Sequence, residues 1–198
     1  MKLRSLRYPA LLLALAAPPV LAQVASPSSD GPKFGKWETR VLAGENKEVV
    51  RLAAWSVSGK TMLSYDYYVD DCRALSFTLG WIRAQPADHD LHLTNVATSL
   101  QVDKHKIVPF LSTYVLNKGE IASQLTLSDV DDFGTAMEQM ERGNKLQIRV
   151  PWDVDTRAND IVEDFALQGF AKGLAWTRKT CWEIADQRAA GRSRNPLP

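Results

Sequence analysis

The chain has 198 residues, of which 45% are hydrophobic and 24% are charged, with 24 Lys and Arg against 23 Asp and Glu. These values are typical of a globular protein with a single domain. The charges are balanced and no basic cluster is present, which argues against nucleic-acid binding. No apolar run beyond the first 22 residues reaches the roughly 18 residues of a membrane span, so we expect no such span.

The first 22 residues have the pattern of a secretory signal peptide. Three basic residues within the first seven positions precede the apolar run Leu11 to Ala17, and Val20-Leu21-Ala22 places compact residues before a cleavage site at Gln23. We therefore expect a periplasmic or secreted protein. The segment 23–33 is rich in Ser, Pro and Gly and is expected to form a flexible leader.

Residues 34–188 are predicted to form one globular domain, and residues 189–198 a disordered tail. Most of the domain alternates apolar and polar residues with the period of two that is typical of β-strands. Ser58-Gly59-Lys60 is typical of a hairpin turn between two of these strands. The predicted strands are Trp37–Val41, Val50–Val57, Thr61–Val69, Leu75–Trp81, Leu91–Val102, Ile107–Leu116, Glu120–Leu127 and Lys145–Val150.

Two segments change to helical spacing. In the segment 128–142, Ser128 and Asp131 resemble a capping box, and Gly143 lies where a helix would end. The second predicted helix covers 168–188. Its core-facing residues are expected to be Phe170, Leu174, Thr177 and Cys181, which are spaced for one helix face.

The predicted fold class is α+β and mainly β: an antiparallel β-sandwich or strongly curved sheet with one mid-chain helix and one C-terminal helix. The chain contains two cysteines, Cys72 and Cys181, and an exported protein with two cysteines is expected to form one disulfide. That bond would tie the terminal helix to the head of a strand. The alternative is a pair of free thiols.

Catalytic and metal-binding patterns are weak. The sequence contains no G-x-S-x-G, S-x-x-K or P-loop motif. His89 and His92 lie near Asp88 and Asp90, but residues three apart on a strand point to opposite faces, so surface histidines are the preferred interpretation. The segment 153–164 resembles a calcium loop but lacks the turn glycine and the terminal Glu, which favours a solvated acidic turn. We expect no metal and no cofactor.

Aromatic side chains beside charged residues are the best candidates for a binding surface, because such residues anchor protein interfaces. The candidates are Tyr68, Trp152 and Trp182, together with the acidic residues Asp153 and Asp155 that follow Trp152. The alternative is that these aromatic side chains belong to the core.

Three short motifs resemble the invasion-associated locus B family. They are Phe34-Gly35-Lys36-Trp37, Gly143-Asn144-Lys145-Leu146-Gln147-Ile148, and Phe165-Ala166-Leu167-Gln168-Gly169-Phe170 followed by Ala171, Leu174 and Cys181. Their order and spacing agree across most of the chain after the signal peptide. The resemblance implies a small β-rich periplasmic or surface protein, with members linked to host-cell invasion, and it implies no catalytic residues.

Three functions are therefore weighed. The first is a non-enzymatic envelope protein that binds another protein. The second is a periplasmic immunity or inhibitor protein that blocks a toxin or cell-wall hydrolase with the acidic segment 153–164. The third is a hydrolase whose site is assembled from scattered Asp, Glu and His residues, including His92 or His105.

Overall fold

The structure, a computed structural model, describes residues 29–43, 48–129, 133–151 and 160–193. These ranges form ten strands and two helices. The strands are β1 (Ser29–Phe34), β2 (Trp37–Ala43), β3 (Glu48–Trp55), β4 (Thr61–Tyr68), β5 (Asp71–Ile82), β6 (Leu91–Val102), β7 (Val108–Leu116), β8 (Ala122–Asp129), β9 (Lys145–Val150) and β10 (Ile161–Ala166). The helices are α1 (Phe133–Arg142) and α2 (Phe170–Ser193), and neither is long and apolar enough, within the described residues, to cross a membrane.

All ten strands belong to one antiparallel sheet in the order β1-β2-β3-β4-β5-β8-β7-β6-β9-β10. The sheet curves so strongly that its last strand returns to the strands near its beginning. The backbone N–H of Val57, in the β3–β4 turn, donates a 2.7 Å hydrogen bond to the carbonyl oxygen of Asp164 in β10. No continuous ladder of the described strands closes the sheet. The curved-sheet form of the predicted fold is confirmed, and the two-sheet sandwich is not observed.

An aromatic cluster joins the sheet to α2. The ring of Phe170, the first residue of α2, lies 4.9 Å from the Trp37 ring and 5.2 Å from the Tyr65 ring, measured between centroids. The Tyr65 ring in turn stacks on Phe77 at 4.5 Å. All four side chains are buried, so they define the inner face of the sheet, against which the helix packs.

The predicted core-facing side of α2 is confirmed, since its four residues are all buried: Phe170, Leu174, Thr177 and Cys181. Cys181 is bonded to Cys72 in β5, with 5.8 Å between the two Cα atoms. Both cysteines of the chain are used in this bond. The disulfide therefore fixes α2 to the sheet, as the sequence predicts.

The domain boundaries differ from the prediction at both ends. Residues 29–33, placed in the flexible leader, form most of β1. β1 is an edge strand, where Pro32 is tolerated although it has no N–H to donate to a neighbouring strand. The hydroxyl of Thr39 also donates a 2.7 Å hydrogen bond to the Pro32 carbonyl. Residues 189–193, placed in the disordered tail, continue α2, in keeping with the high helix propensity of the two alanines there. The signal peptide 1–22 lies outside the described residues.

Candidate functional site

The outer face of the sheet, opposite α2, contains a row of residues paired across four strands. Trp55 of β3 lies opposite Met62 of β4, which lies opposite Gly80 of β5, and Gly80 lies opposite Gln124 of β8. These positions alternate with the buried positions of the same strands and therefore point away from the core. Trp55 keeps 50% of its surface exposed, which is unusual for the largest side chain on a sheet.

Three adjoining depressions meet at Trp55, and together we call them the outer groove. The first has a volume of about 170 Å³ and lies over Arg51 and Ala53. The second has about 420 Å³ and lies between Lys36 and Val57. The third has about 240 Å³ and lies over Gly80. Its other lining residues include Met62, Trp81, Ile82, Ala122 and Gln124.

Exposed apolar side chains cluster at the same end of the sheet as the outer groove. Val57 is 76% exposed, Ile82 is 62% exposed and Ile121 is 48% exposed. They come together because β3 and β5 end where β4 and β8 begin, as antiparallel pairing requires. Scattered apolar side chains on a surface are common, but several at one end of a sheet beside an exposed Trp make a candidate interaction surface.

Gly80 keeps the third depression open. A Cβ atom added to Gly80 would meet only the carbonyl oxygen of Ser123, at 3.9 Å, so no neighbouring side chain fills this space. A glycine inside a strand commonly marks a place where a ligand or another backbone approaches closely. Met62 and Gln124 flank the opening on the neighbouring strands.

A bidentate ion pair fixes one side of the outer groove. Nε and Nη2 of Arg51 each donate a 2.7 Å hydrogen bond to a different oxygen of Asp66. These hydrogen bonds raise the pKa of the Arg51 guanidinium, although burial opposes the shift. Asp66 is buried, so the pair holds the guanidinium in one orientation next to Trp55.

A second group of charges lies on β1 and β2. Arg40 contacts Asp30 at 3.0 Å and Glu38 at 3.8 Å, and the Lys33 amine lies 2.7 Å from the Glu38 carboxylate. The hydrogen bond from Lys33 lowers the pKa of Glu38, while burial acts in the opposite direction. Both carboxylates in this group are therefore already paired with cations.

Of the five sequence-predicted binding residues, the described part of the chain includes only Tyr68 and Trp182. Tyr68 points to the outer face of β4, like Met62, but it is half-buried and lies six residues from Met62, roughly 20 Å along the strand. Trp182 is 41% exposed on α2, on the other side of the sheet. Trp152, Asp153 and Asp155 lie outside the described residues.

The histidines and the acidic segment give no assembled site in the part of the chain that is described. The imidazole of His89 contacts the carboxylate of its neighbour Asp88, and His92 is exposed on β6. Within the described ranges no group of three or more His, Cys, Asp and Glu residues is close enough to hold a metal. The end of the acidic segment forms β10, where Asp164 accepts a 2.9 Å hydrogen bond from Gln147.

Trp55 is the residue that the sequence analysis missed. The signal was present, because the alternation of Val50, Leu52 and Ala54 toward the core assigns Trp55 and Val57 to the opposite face. The predicted strand Val50–Val57 overlaps β3 (Glu48–Trp55), and its alternation continues through Trp55.

Comparisons with known proteins find a weak structural similarity. No family model matches the chain, and no curated protein matches it. Among solved structures, the crystal structure of invasion associated protein B from Bartonella henselae is similar, with a TM-score of 0.48 and 16% sequence identity. The match covers 79% of this chain and 97% of that chain. Its name agrees with the family that the sequence motifs resemble.

Proposed function

We propose that this protein is an exported, non-enzymatic envelope protein that binds another protein through the outer groove. The observation that carries the proposal is the position of Trp55, half-exposed where three depressions meet. Tryptophan buries about 150–250 Å² and is enriched among the residues that dominate binding energy. An exposed Trp surrounded by apolar side chains is therefore suited to anchor a partner.

The rigidity of the surface beneath Trp55 supports the same function. Four paired strands form the floor of the outer groove, and the Arg51–Asp66 pair holds one side of it. A surface that is already ordered loses little conformational entropy on binding, which favours affinity. The disulfide also supports an oxidising compartment, the periplasm or the exterior of the cell.

The depression over Gly80 is better suited to a side chain of a protein partner than to a small substrate. The depression over Gly80 has about 240 Å³, below the roughly 300–1,000 Å³ of small-molecule sites. The described side chains that line it include no His, Cys, Asp or Glu, the residue types that most often supply acid–base or nucleophilic chemistry. Its lining offers apolar contact and a few hydrogen-bonding groups.

The proposal is tested by photo-crosslinking from inside the outer groove. Ile82→benzoylphenylalanine places the reactive group beside Gly80, and Trp182→benzoylphenylalanine provides a matched control on α2. Both variants are produced in the native cell envelope and irradiated, and the adducts are identified by mass spectrometry. We expect a specific adduct from position 82 that is absent from position 182.

The identified partner is then purified and titrated against the wild-type protein and Trp55→Ala by calorimetry. We expect Trp55→Ala to weaken binding at least tenfold, since a dominant interface Trp contributes about 2 kcal/mol or more. The absence of any adduct, equal adducts from both positions, or equal affinity of the two proteins would contradict the proposal.

A further inference from the structure

The charges beside the outer groove are unevenly paired. Among the carboxylates, Glu38 contacts Lys33, and Asp66 contacts Arg51. The buried carboxylate of Glu163, below the β3–β4 turn, accepts a 2.7 Å hydrogen bond from the hydroxyl of Ser58. Each of these carboxylates is therefore already satisfied inside the protein.

Two lysines at the same end of the sheet, in contrast, have no ion-pair partner among the described residues. Lys36 lines the depression that also contains Val57, and Lys60 lies in the β3–β4 turn, two residues before Met62. Lys60 immediately precedes β4, so its backbone lies within roughly 7 Å of Met62 at this end of the sheet. Among the described residues, neither lysine has a carboxylate within ion-pair distance.

We propose that the outer groove binds an extended acidic segment of a partner protein, with one bulky apolar side chain over Gly80 and carboxylates facing Lys36 and Lys60. This inference rests on the proposed function and adds the chemistry of the partner. Apolar contact supplies the affinity, and the two unpaired ammonium groups select the sign of the flanking charges.

The arrangement of the depressions indicates an extended segment. They follow one another from Lys36, past Trp55, to Gly80, and so they cross several strands. An extended chain places successive side chains of one face roughly 7 Å apart, which allows one segment to enter more than one depression. The lysines are exposed, so their attraction for carboxylates is screened by salt.

The test uses three labelled synthetic peptides and the full-length exported protein. The first peptide has a central Trp with two Asp or Glu residues on each side. The second has Lys in place of every acidic residue, and the third has Ala in place of Trp. Binding is measured by fluorescence anisotropy at low and at physiological salt. We expect the first peptide to bind at least tenfold more tightly than the other two, with lower affinity at higher salt.

Charge-reversal variants identify the residues that are responsible. We expect Lys36→Glu combined with Lys60→Glu to lower the affinity for the acidic peptide at least tenfold and to raise the affinity for the basic peptide. Lys104→Glu, in the exposed β6–β7 turn at the other end of the sheet, is the control and should change neither affinity. Circular dichroism of each variant verifies that the fold is retained.

Several outcomes would overturn the inference. Equal binding of the acidic and basic peptides, no binding of any peptide, or an equal effect of Lys104→Glu would do so. Sedimentation that shows a dimer lost in Trp55→Ala would identify a second copy of this chain as the occupant instead. If the crosslinked partner still binds through Trp55 in any of the first three cases, the proposed function stands and only the acidic character of the partner is wrong.

Discussion

The indole nitrogen of Trp37 donates a 2.9 Å hydrogen bond to the carbonyl oxygen of Ala166, 129 positions later in the chain. Trp37 begins β2 and Ala166 ends β10, so this bond spans the opening of the curved sheet. The backbone bond between Val57 and Asp164 lies next to it. Together they hold β10 against the strands that carry the outer groove.

Trp37→Phe tests the contribution of this hydrogen bond. The substitution keeps an aromatic ring in the core but removes the indole N–H. The partly buried carbonyl of Ala166 then loses this hydrogen bond. We expect a loss of about 1–3 kcal/mol in the free energy of unfolding, measured in urea. Trp182→Phe on the surface of α2 is the control and should cost less than about 0.5 kcal/mol. Equal effects of the two substitutions would contradict the structural role of the bond.

Gly169→Ala tests the contact between the turn that precedes α2 and the turn between β1 and β2. Gly169 has φ of +93°, and an added Cβ would lie 2.0 Å from the carbonyl oxygen of Phe34. Gly59, with φ of +71° and open space around it, is the matched control. Both substitutions strain the backbone, but only the first produces a clash. We expect Gly169→Ala to cost about 1–3 kcal/mol more than Gly59→Ala in chemical denaturation. Similar costs would show that the turns are not in close contact.

Cys181→Ser tests the disulfide. The bond closes a loop with a sequence separation of 109, and losing a native disulfide of this kind costs about 2–5 kcal/mol. We expect a matching fall in the thermal midpoint, and the wild-type protein in reducing agent should behave like the variant. Cys72→Ser combined with Cys181→Ser controls for the thiol left behind by the single substitution. An unchanged midpoint would contradict the stabilising role of the bond.

Asp103 is predicted to make stability depend on pH. Hydrogen bonds from the backbone N–H groups of Asn144 and Lys145 to its carboxylate lower its pKa below the ordinary value of 3.8, although burial opposes the shift. A group with a lowered folded-state pKa stabilises the fold above its unfolded pKa, and this contribution is lost as the pH falls through the folded pKa. Wild type should therefore melt above Asp103→Asn at pH 7, and the gap should close below about pH 4.

Asparagine is the appropriate replacement because Asp103 has a positive φ of 47°, which Asn tolerates. Thermal unfolding of both proteins across the acid range gives the comparison. A gap in the melting temperature that stays constant from pH 7 to well below the ordinary Asp pKa would rule out a contribution from this carboxylate.

The regular strands could be predicted from the sequence because their alternation is local. The predicted bounds of Leu91–Val102 and Lys145–Val150 agree with β6 and β9. β10 could not be predicted, since Glu163 occupies a buried position where alternation would require an apolar residue. Its carboxylate is satisfied by Ser58, 105 positions away, and no local pattern reveals such a partner.

The outer groove depends on the same kind of long-range information. The outward direction of Trp55 can be derived from its own strand, but its surroundings cannot. The space beside Trp55 exists because Gly80 of β5 has no side chain. The apolar edge is completed by β8, which pairs with β5 although β6 and β7 lie between them in the sequence. The pairing order of the strands, rather than any motif, assembles the site.

The bond from Val57 to Asp164 gives the outer groove a dependence on the order in which the chain arrives. During synthesis from the amino end, Trp55 is made early, but β10, which steadies the neighbouring turn, is the last of the described strands to be made. Until that strand is in place, the turn carrying Val57 lacks its support. We therefore expect the outer groove to become fully ordered only once β10 has paired with β9.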